Sequence, residues 1–258
     1  MSCNRYLSLF ALAFAAVANA ADNPFAGAWK LDLQKSNFTG DTMTYSSESS
    51  GEMRYSGGGL SYTFKSDGKE RAGILGELVA WKQIDDRSWE ITHKTKGKVT
   101  AVETLKISED GKTLSDTVTG TRSNGEKFED KIAYERVSGD TGLLGKWKST
   151  KVQIGSPETM DIKDYEGDGL TFYSPEEKFT FSAKFDGKEY PATGPTIPAG
   201  ATGTLTRVDP SCFELTEVYK GKPFWKGKYT LSEDKKTLTV SGGMIATNEP
   251  MTAVYERQ

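Results

Sequence analysis

Hydrophobic and polar residues alternate along several short segments of the chain, most clearly along Lys178–Phe185. The phenylalanines and the alanine of that segment fall on one face, and its lysines, threonine and serine fall on the other. A period of two residues is typical of a half-buried β-strand. Similar segments are separated by pairs that favour tight turns: Asp67-Gly68, Lys96-Gly97, Asp110-Gly111, Asn124-Gly125, Asp186-Gly187 and Lys220-Gly221. The pattern predicts an all-β protein of short antiparallel strands joined by hairpins.

The chain also repeats itself. Asp85–Leu114 aligns without a gap onto Asp209–Leu238, with roughly a dozen identities in some thirty positions. Both halves begin with a Gly-x-Trp-Lys motif and end with Tyr-Glu-Arg; these are Gly27-Ala28-Trp29-Lys30 with Tyr134-Glu135-Arg136, and Gly145-Lys146-Trp147-Lys148 with Tyr255-Glu256-Arg257. The repeat therefore predicts two domains of similar fold, residues 21–138 and 141–258.

Each repeat is long enough for a β-barrel with its own core. About eight antiparallel strands in sequence can remove their unpaired edges by closing into an up-and-down barrel. We therefore expect two tandem antiparallel barrels, and we expect each repeat to fold independently.

The Gly-x-Trp motif on a first strand, followed by a late arginine, resembles the lipocalin and calycin pattern. The segments Asn23-Pro24-Phe25, Phe185–Pro191 and Thr237–Val240 are also similar to bacterial exported lipocalin-like proteins of unassigned activity. The resemblance covers nearly the whole chain after residue 20. It implies that each tryptophan packs under the arginine of its own repeat and closes one barrel end, pairing Trp29 with Arg136 and Trp147 with Arg257.

The first twenty residues have the pattern of a secretory signal peptide. Arg5 precedes an apolar run, Leu7–Val17, and Ala18-Asn19-Ala20 provides a small-x-small cleavage site. The apolar run is shorter than the roughly 20 residues needed to span a bilayer, and no later run approaches that length. We expect residues 1–20 to be removed and the protein to be exported, periplasmic or extracellular, with no membrane span.

Composition excludes several classes of function. A formal net charge of −3, with interspersed charges, does not favour nucleic acid as a partner. Cys212 is the only cysteine after residue 20, so a mature monomer contains no disulfide. With His93 as the one histidine, we expect no metal site of the usual kinds and no cofactor. The sequence identifies no protein partner.

Individual residues offer little catalytic chemistry. Asp164–Gly169 starts like a calcium loop but has Pro175 where the final glutamate belongs, so a solvated hairpin is favoured. His93 aligns with Glu217 and is expected to point to solvent, whereas Glu103 alternates in phase with apolar neighbours and could project inward unless a bulge intervenes. We expect Cys212 to be a small, partly buried side chain and not a nucleophile. We therefore predict no catalytic residues and no enzyme activity.

Aromatic residues of the second repeat suggest a ligand site. Alternation places aromatic side chains from two strands inside the barrel, with Gly227 leaving a gap among them and Pro191–Gly203 as a lid. The predicted walls are Phe181, Phe185, Phe213, Trp225 and Tyr229. These aromatics could equally fill the core. The leading hypothesis is non-enzymatic binding of a small apolar molecule; the alternative is a structural or interaction module of the cell envelope with filled barrels.

Overall fold

The computed structural model describes residues 23–155, 158–247 and 250–258. These residues form twenty β-strands and no helix long and apolar enough to cross a membrane. The strands are β1 (Gly27–Leu31), β2 (Thr42–Ser47), β3 (Met53–Gly57), β4 (Leu60–Phe64), β5 (Asp67–Ala72), β6 (Leu78–Asp85), β7 (Ser88–Thr95), β8 (Lys98–Ile107), β9 (Thr113–Thr121), β10 (Lys127–Ser138), β11 (Gly145–Gln153), β12 (Thr159–Asp164), β13 (Gly169–Ser174), β14 (Phe179–Lys184), β15 (Tyr190–Thr193), β16 (Ala201–Asp209), β17 (Cys212–Tyr219), β18 (Lys222–Leu231), β19 (Thr237–Met244) and β20 (Met251–Arg257). The predicted signal peptide, residues 1–20, lies outside the described residues.

The strands form two antiparallel sheets of ten strands each. One is a closed barrel in the order β1-β12-β13-β14-β15-β16-β17-β18-β19-β20, with β20 pairing back onto β1. The other, the open barrel, runs β4-β3-β2-β11-β10-β9-β8-β7-β6-β5, and its two edge strands follow one another in the chain. The expected all-β tandem-barrel architecture is confirmed, with ten strands per sheet rather than about eight.

Each barrel takes its first strand from the other repeat. β1 lies in the closed barrel between β12 and β20, and β11 lies in the open barrel between β10 and β2. Each sheet thus contains nine strands of one repeat and one of the other. Neither 21–138 nor 141–258 contains a complete sheet, and independent folding of the two repeats stays a prediction.

The tryptophan–arginine pairs are exchanged with these strands. The Arg257 guanidinium lies 4.2 Å from the Trp29 ring centroid, and that of Arg136 lies 4.0 Å from the Trp147 ring. The predicted pairing of Trp29 with Arg136 and of Trp147 with Arg257 is wrong. The physical reason is that both repeats carry the same motif, so either Gly-x-Trp strand presents the same surface to either arginine.

The two motifs make the same local contacts. The indole N–H of Trp29 donates to the Phe25 carbonyl at 3.0 Å, and that of Trp147 donates to the Leu143 carbonyl at 2.9 Å. The side chains of both tryptophans, of Phe25 and of Leu143 are almost completely buried. Each arginine also donates to backbone carbonyls that precede its tryptophan, such as Pro24 for Arg257 at 2.6 Å. Burial, cation–π contact and hydrogen bonding therefore hold each tryptophan against its arginine.

The two barrels also contact each other. Arg122, just after β9, is buried and reaches Glu177 at 3.2 Å and Glu158 at 3.5 Å, both in the second repeat. An isolated bridge joins Asn37 to Thr252. These contacts, together with the exchanged strands, make the barrels one connected unit.

Candidate functional site

The closed barrel contains an apolar cavity of about 370 Å³. Its walls come mainly from β13, β14 and β16 to β18. Apolar or aromatic lining residues are Leu75, Met160, Phe172, Phe179, Phe181, Ala192, Ile197, Pro198, Ala201, Leu215, Val218, Tyr219, Phe224 and Tyr229. Ligand pockets in proteins commonly have volumes of about 300–1,000 Å³ and mostly hydrophobic walls with few polar groups.

Glu217 is the one carboxyl group that lines this cavity. It lies on β17 in phase with the buried Phe213 and Leu215, next to a bulge between Glu217 and Val218. Glu217 is an exposed residue of β17, yet protein atoms around its carboxyl bury that group in part. That burial raises the pKa of the Glu217 carboxyl to about 7. Near neutral pH the carboxyl is therefore able to donate or accept a hydrogen bond inside an apolar cavity.

Two loops contribute to the wall of this cavity. Residues of the predicted lid, Pro191–Gly203, line the cavity, including Ile197 and Pro198 between β15 and β16. Leu75, in the loop between β5 and β6 of the open barrel, also lines it. Leu75 has a φ of 48°, a left-handed conformation that is uncommon for a residue with a branched side chain. Residues of both barrels therefore line the cavity.

Of the five aromatic residues predicted to form the ligand walls, two line the cavity and three do not. Phe181 and Tyr229 line it. Phe213 instead fills the core, stacked on Tyr229 with ring centroids 4.7 Å apart. Phe185 packs against Phe213 and is covered by the Arg207 guanidinium at 3.9 Å. Alternation gave the correct face for these rings, but rings that pack on one another leave no space for a ligand.

Trp225 is not a cavity wall because its ring occupies the predicted gap. A Cβ atom added at Gly227 would lie 2.1 Å from the Trp225 ring, and one at Gly242 would lie 2.8 Å from it. The indole therefore lies across both glycines. The expectation that Gly227 leaves an open gap is wrong, since the space is filled from two residues away on the same strand.

The open barrel holds a smaller, polar cavity of about 140 Å³. His93 on β7 lines it: its Nδ1 is 3.1 Å from Glu77 Oε2, and its Nε2 is 2.9 Å from Glu103 Oε2. Burial lowers the pKa of His93, but hydrogen bonds and charge from Glu103 and Glu77 outweigh it and raise the pKa to about 10. At neutral pH, His93 is therefore an imidazolium held between two carboxylates.

Asp116, on β9, lines the same cavity. It is only 6% exposed, and its Oδ1 is buried without a hydrogen-bond partner. Burial and the nearby Glu103 raise the pKa of Asp116 to about 8, while His93 acts in the opposite direction. A buried polar atom without a partner is rare in folded proteins because it loses its hydration without compensation.

Aromatic side chains form the remaining wall of this cavity: Tyr45, Tyr55, Tyr62, Trp81 and Tyr134. Tyr45 contacts the rings of Tyr55 and Trp81, and Tyr55 contacts the ring of Tyr62. The Trp81 indole donates to the Tyr62 hydroxyl at 3.1 Å. Burial raises the pKa of Tyr55 to about 12 and raises those of the other three tyrosines as well. The phenols stay neutral over the physiological range.

Sequence reasoning placed Glu103 correctly and His93 incorrectly. Glu103 projects inward as its alternation predicts. His93 was expected to point to solvent because it aligns with the charged Glu217, but both residues face a barrel interior. The alternation of Trp89, Ile91 and His93 along β7 was the signal that could have shown this, since the first two are buried.

The other candidates do not form a site. Cys212 is buried beside the Thr230 hydroxyl, 3.8 Å away. Asp164–Gly169 forms the turn between β12 and β13, as predicted, and Asp168 pairs with Arg207 at 2.7 Å. Within the described ranges, no group of three or more histidine, cysteine or acidic residues is arranged to hold a metal ion.

Comparison with protein-family models, curated proteins and solved structures found no match to the chain.

Proposed function

We propose that the protein is an exported, non-enzymatic binding protein of lipocalin type. Its closed barrel would hold a small apolar molecule that carries one uncharged hydrogen-bonding end group. The observation that carries this proposal is the apolar cavity of about 370 Å³ with the Glu217 carboxyl in its wall. Export rests on the signal-peptide pattern of residues 1–20, and N-terminal sequencing of the mature protein tests it, with Ala21 expected as the first residue.

The chemistry of the cavity restricts the ligand. Apolar walls favour burial of hydrocarbon or ring surface by roughly 25 cal/mol per Å². The Glu217 carboxyl makes no hydrogen bond to the residues that the structure describes. An alcohol, carbonyl or amide at the end of the ligand would supply that hydrogen bond. A carboxylate ligand is disfavoured once Glu217 is ionised, since two like charges would then share one apolar cavity.

Displacement of a neutral fluorescent probe tests the proposal. N-phenyl-1-naphthylamine should become fluorescent in the protein, and 1-decanol should displace it. Decanoate should displace it less effectively as the pH rises through about 7, the pKa of Glu217. Glu217→Gln should remove this dependence on pH, because glutamine stays neutral.

A pair of variants on β15 locates the binding. Ala192 lines the cavity and Thr193, its neighbour, is exposed on the opposite face. Ala192→Phe should fill the cavity and weaken binding at least about tenfold, whereas Thr193→Phe should leave binding unchanged. Absence of binding in the wild type, or equal binding by both variants, would favour a structural module of the cell envelope.

A further inference from the structure

The polar cavity of the open barrel differs from the apolar cavity in chemistry as well as in size. The duplication makes positions comparable: His93 corresponds to Glu217, and Glu103 corresponds to Gly227. The bulge beside His93 recurs beside Glu217, so the backbone is alike at this point in both barrels. Equivalent positions therefore carry a histidine and a glutamate in one barrel, and a single carboxyl group and a glycine in the other.

We propose that the open barrel binds a second ligand, a small organic ammonium ion, with the ammonium group against Asp116 and Glu103 and its organic part between the tyrosine rings. The proposal concerns a site separate from the cavity of the closed barrel. It stands on three features of the molecule: the charge of the cavity, the unpartnered carboxyl oxygen and the aromatic wall.

The charges in the cavity favour a cation. Glu77 and Glu103 are carboxylates that share one imidazolium, His93, so the cluster is negative before Asp116 is counted. Ionisation of Asp116 adds a second negative charge. An ammonium group is the complementary ligand, because it neutralises this charge and supplies three hydrogen-bond donors.

Asp116 supplies the hydrogen-bond acceptor that lacks a partner. Its Oδ1 is buried in the cavity wall with no donor from the described residues. Asn, Ser or water donors commonly satisfy such an oxygen in a protein interior. Here the adjoining space is a cavity of about 140 Å³, so a ligand donor fits the position.

The aromatic wall and the volume define the rest of the ligand. Tyrosine faces attract cations through the ring quadrupole, and they also pack well on an organic group. A cavity of about 150 Å³ in another protein admits benzene, so 140 Å³ corresponds to a ligand of that order of size. Benzylammonium is therefore a suitable probe.

Calorimetric titration of the full chain tests the proposal with three probes of the same shape. Benzylammonium should bind with a stoichiometry of one. Benzyl alcohol, which is neutral, and benzoate, which is anionic, should bind at least about tenfold more weakly. Equal binding of the alcohol, or binding of Zn²⁺ or Ca²⁺ with no binding of benzylammonium, would overturn the proposal.

Variants place the ligand in the open barrel. Asp116→Asn keeps the shape of the side chain and should weaken benzylammonium binding at least about tenfold. Asp86→Asn, at the exposed turn between β6 and β7, is the matched control and should have no effect. Ala192→Phe in the closed barrel should also have no effect, and a loss of ammonium binding there would refute the assignment. That variant separates this proposal from the one for the closed barrel.

Proton release gives a second readout on the wild-type protein, which holds even if Asp116→Asn fails to fold. Asp116 has a pKa of about 8, so at pH 7 it is mostly protonated. The ammonium ion stabilises the ionised form, and binding should release close to one proton, measured from the binding heat in two buffers of different ionisation enthalpy. Absence of proton release would overturn the role of Asp116. The groups facing Asp116 from neighbouring strands and the adjoining loop are Glu77, His93, Glu103, Tyr55 and Tyr134.

Discussion

Engineered disulfides distinguish the exchanged first strands from strands kept in their own repeats. In the structure, Ala28 of β1 lies opposite Asp161 of β12. If β1 instead remained in its own repeat, Ala28 would take the place of Lys146, which lies opposite Thr44 of β2. The pair Ala28→Cys with Asp161→Cys should therefore form a disulfide, and the pair Ala28→Cys with Thr44→Cys should not.

The geometry and the expected stabilisation follow from the register. Directly paired antiparallel residues have Cα atoms about 4.5–5.5 Å apart, within the range that a disulfide requires. The cross-link between positions 28 and 161 closes a loop of about 130 residues, for which chain entropy gives an upper limit of about 5 kcal/mol and measured disulfides typically give about 2–4 kcal/mol. A gain of about 3 kcal/mol would raise Tm by about 6–12 °C for a chain of this size.

The assay uses a Cys3→Ser, Cys212→Ser background, so that only the introduced thiols react. Electrophoresis without reductant, thiol titration and calorimetry then report cross-linking and Tm for both pairs. Quantitative cross-linking between positions 28 and 44, with none between 28 and 161, would refute the exchange. A cross-linked dimer of the 28–161 pair would show that the strands are exchanged between molecules instead of within one.

Three further perturbations have defined outcomes. Gly227→Ala should displace the Trp225 ring and lower the free energy of unfolding, measured by urea denaturation, by about 1–3 kcal/mol. Trp225→Leu in the same chain should recover most of this loss; if the two substitutions instead lower the free energy additively, the contact is contradicted. The pKa of Glu217 is raised to about 7, so its protonated carboxyl stabilises the fold at low pH, and this contribution is lost as the pH rises through 7. The fall in Tm between pH 5 and pH 8 should therefore be smaller for Glu217→Gln than for the wild type. An equal fall would be inconsistent with the raised pKa. Leu75→Gly should relieve a left-handed residue and remove a side chain from the cavity wall. Stopped-flow mixing should then show faster probe entry than in the wild type, and an unchanged rate would show that Leu75 does not limit entry.

The sequence was sufficient to predict strands, turns and duplication, because these depend on local patterns. The turns at Lys96-Gly97 and Lys220-Gly221, for example, have positive φ at both residues, as their sequences favour in two-residue hairpins. The exchange of β1 with β11 was not predictable, because the two strands carry equivalent motifs. A choice between equivalent partners depends on the connections and on inter-barrel packing, which no local pattern encodes.

The candidate site was only partly predictable for a related reason. Period-two alternation assigns each residue to a face, and it correctly turned Phe181, Tyr229 and Glu103 inward. It does not say whether an inward ring borders a cavity or fills it, since that depends on ring orientation and on neighbours across the barrel. Phe213 faces inward and yet lies wholly within packed rings.

The duplication explains how one fold presents two different interiors. Both barrels contain a tryptophan–arginine pair, and both have a bulge on the strand of His93 or Glu217. The inward positions that line the two cavities differ in chemistry between the barrels. Because each barrel also contains a strand of the other repeat, unfolding either sheet completely requires removing a strand that is covalently part of the other half. The two interiors therefore differ in chemistry while their stabilities are linked through the exchanged strands.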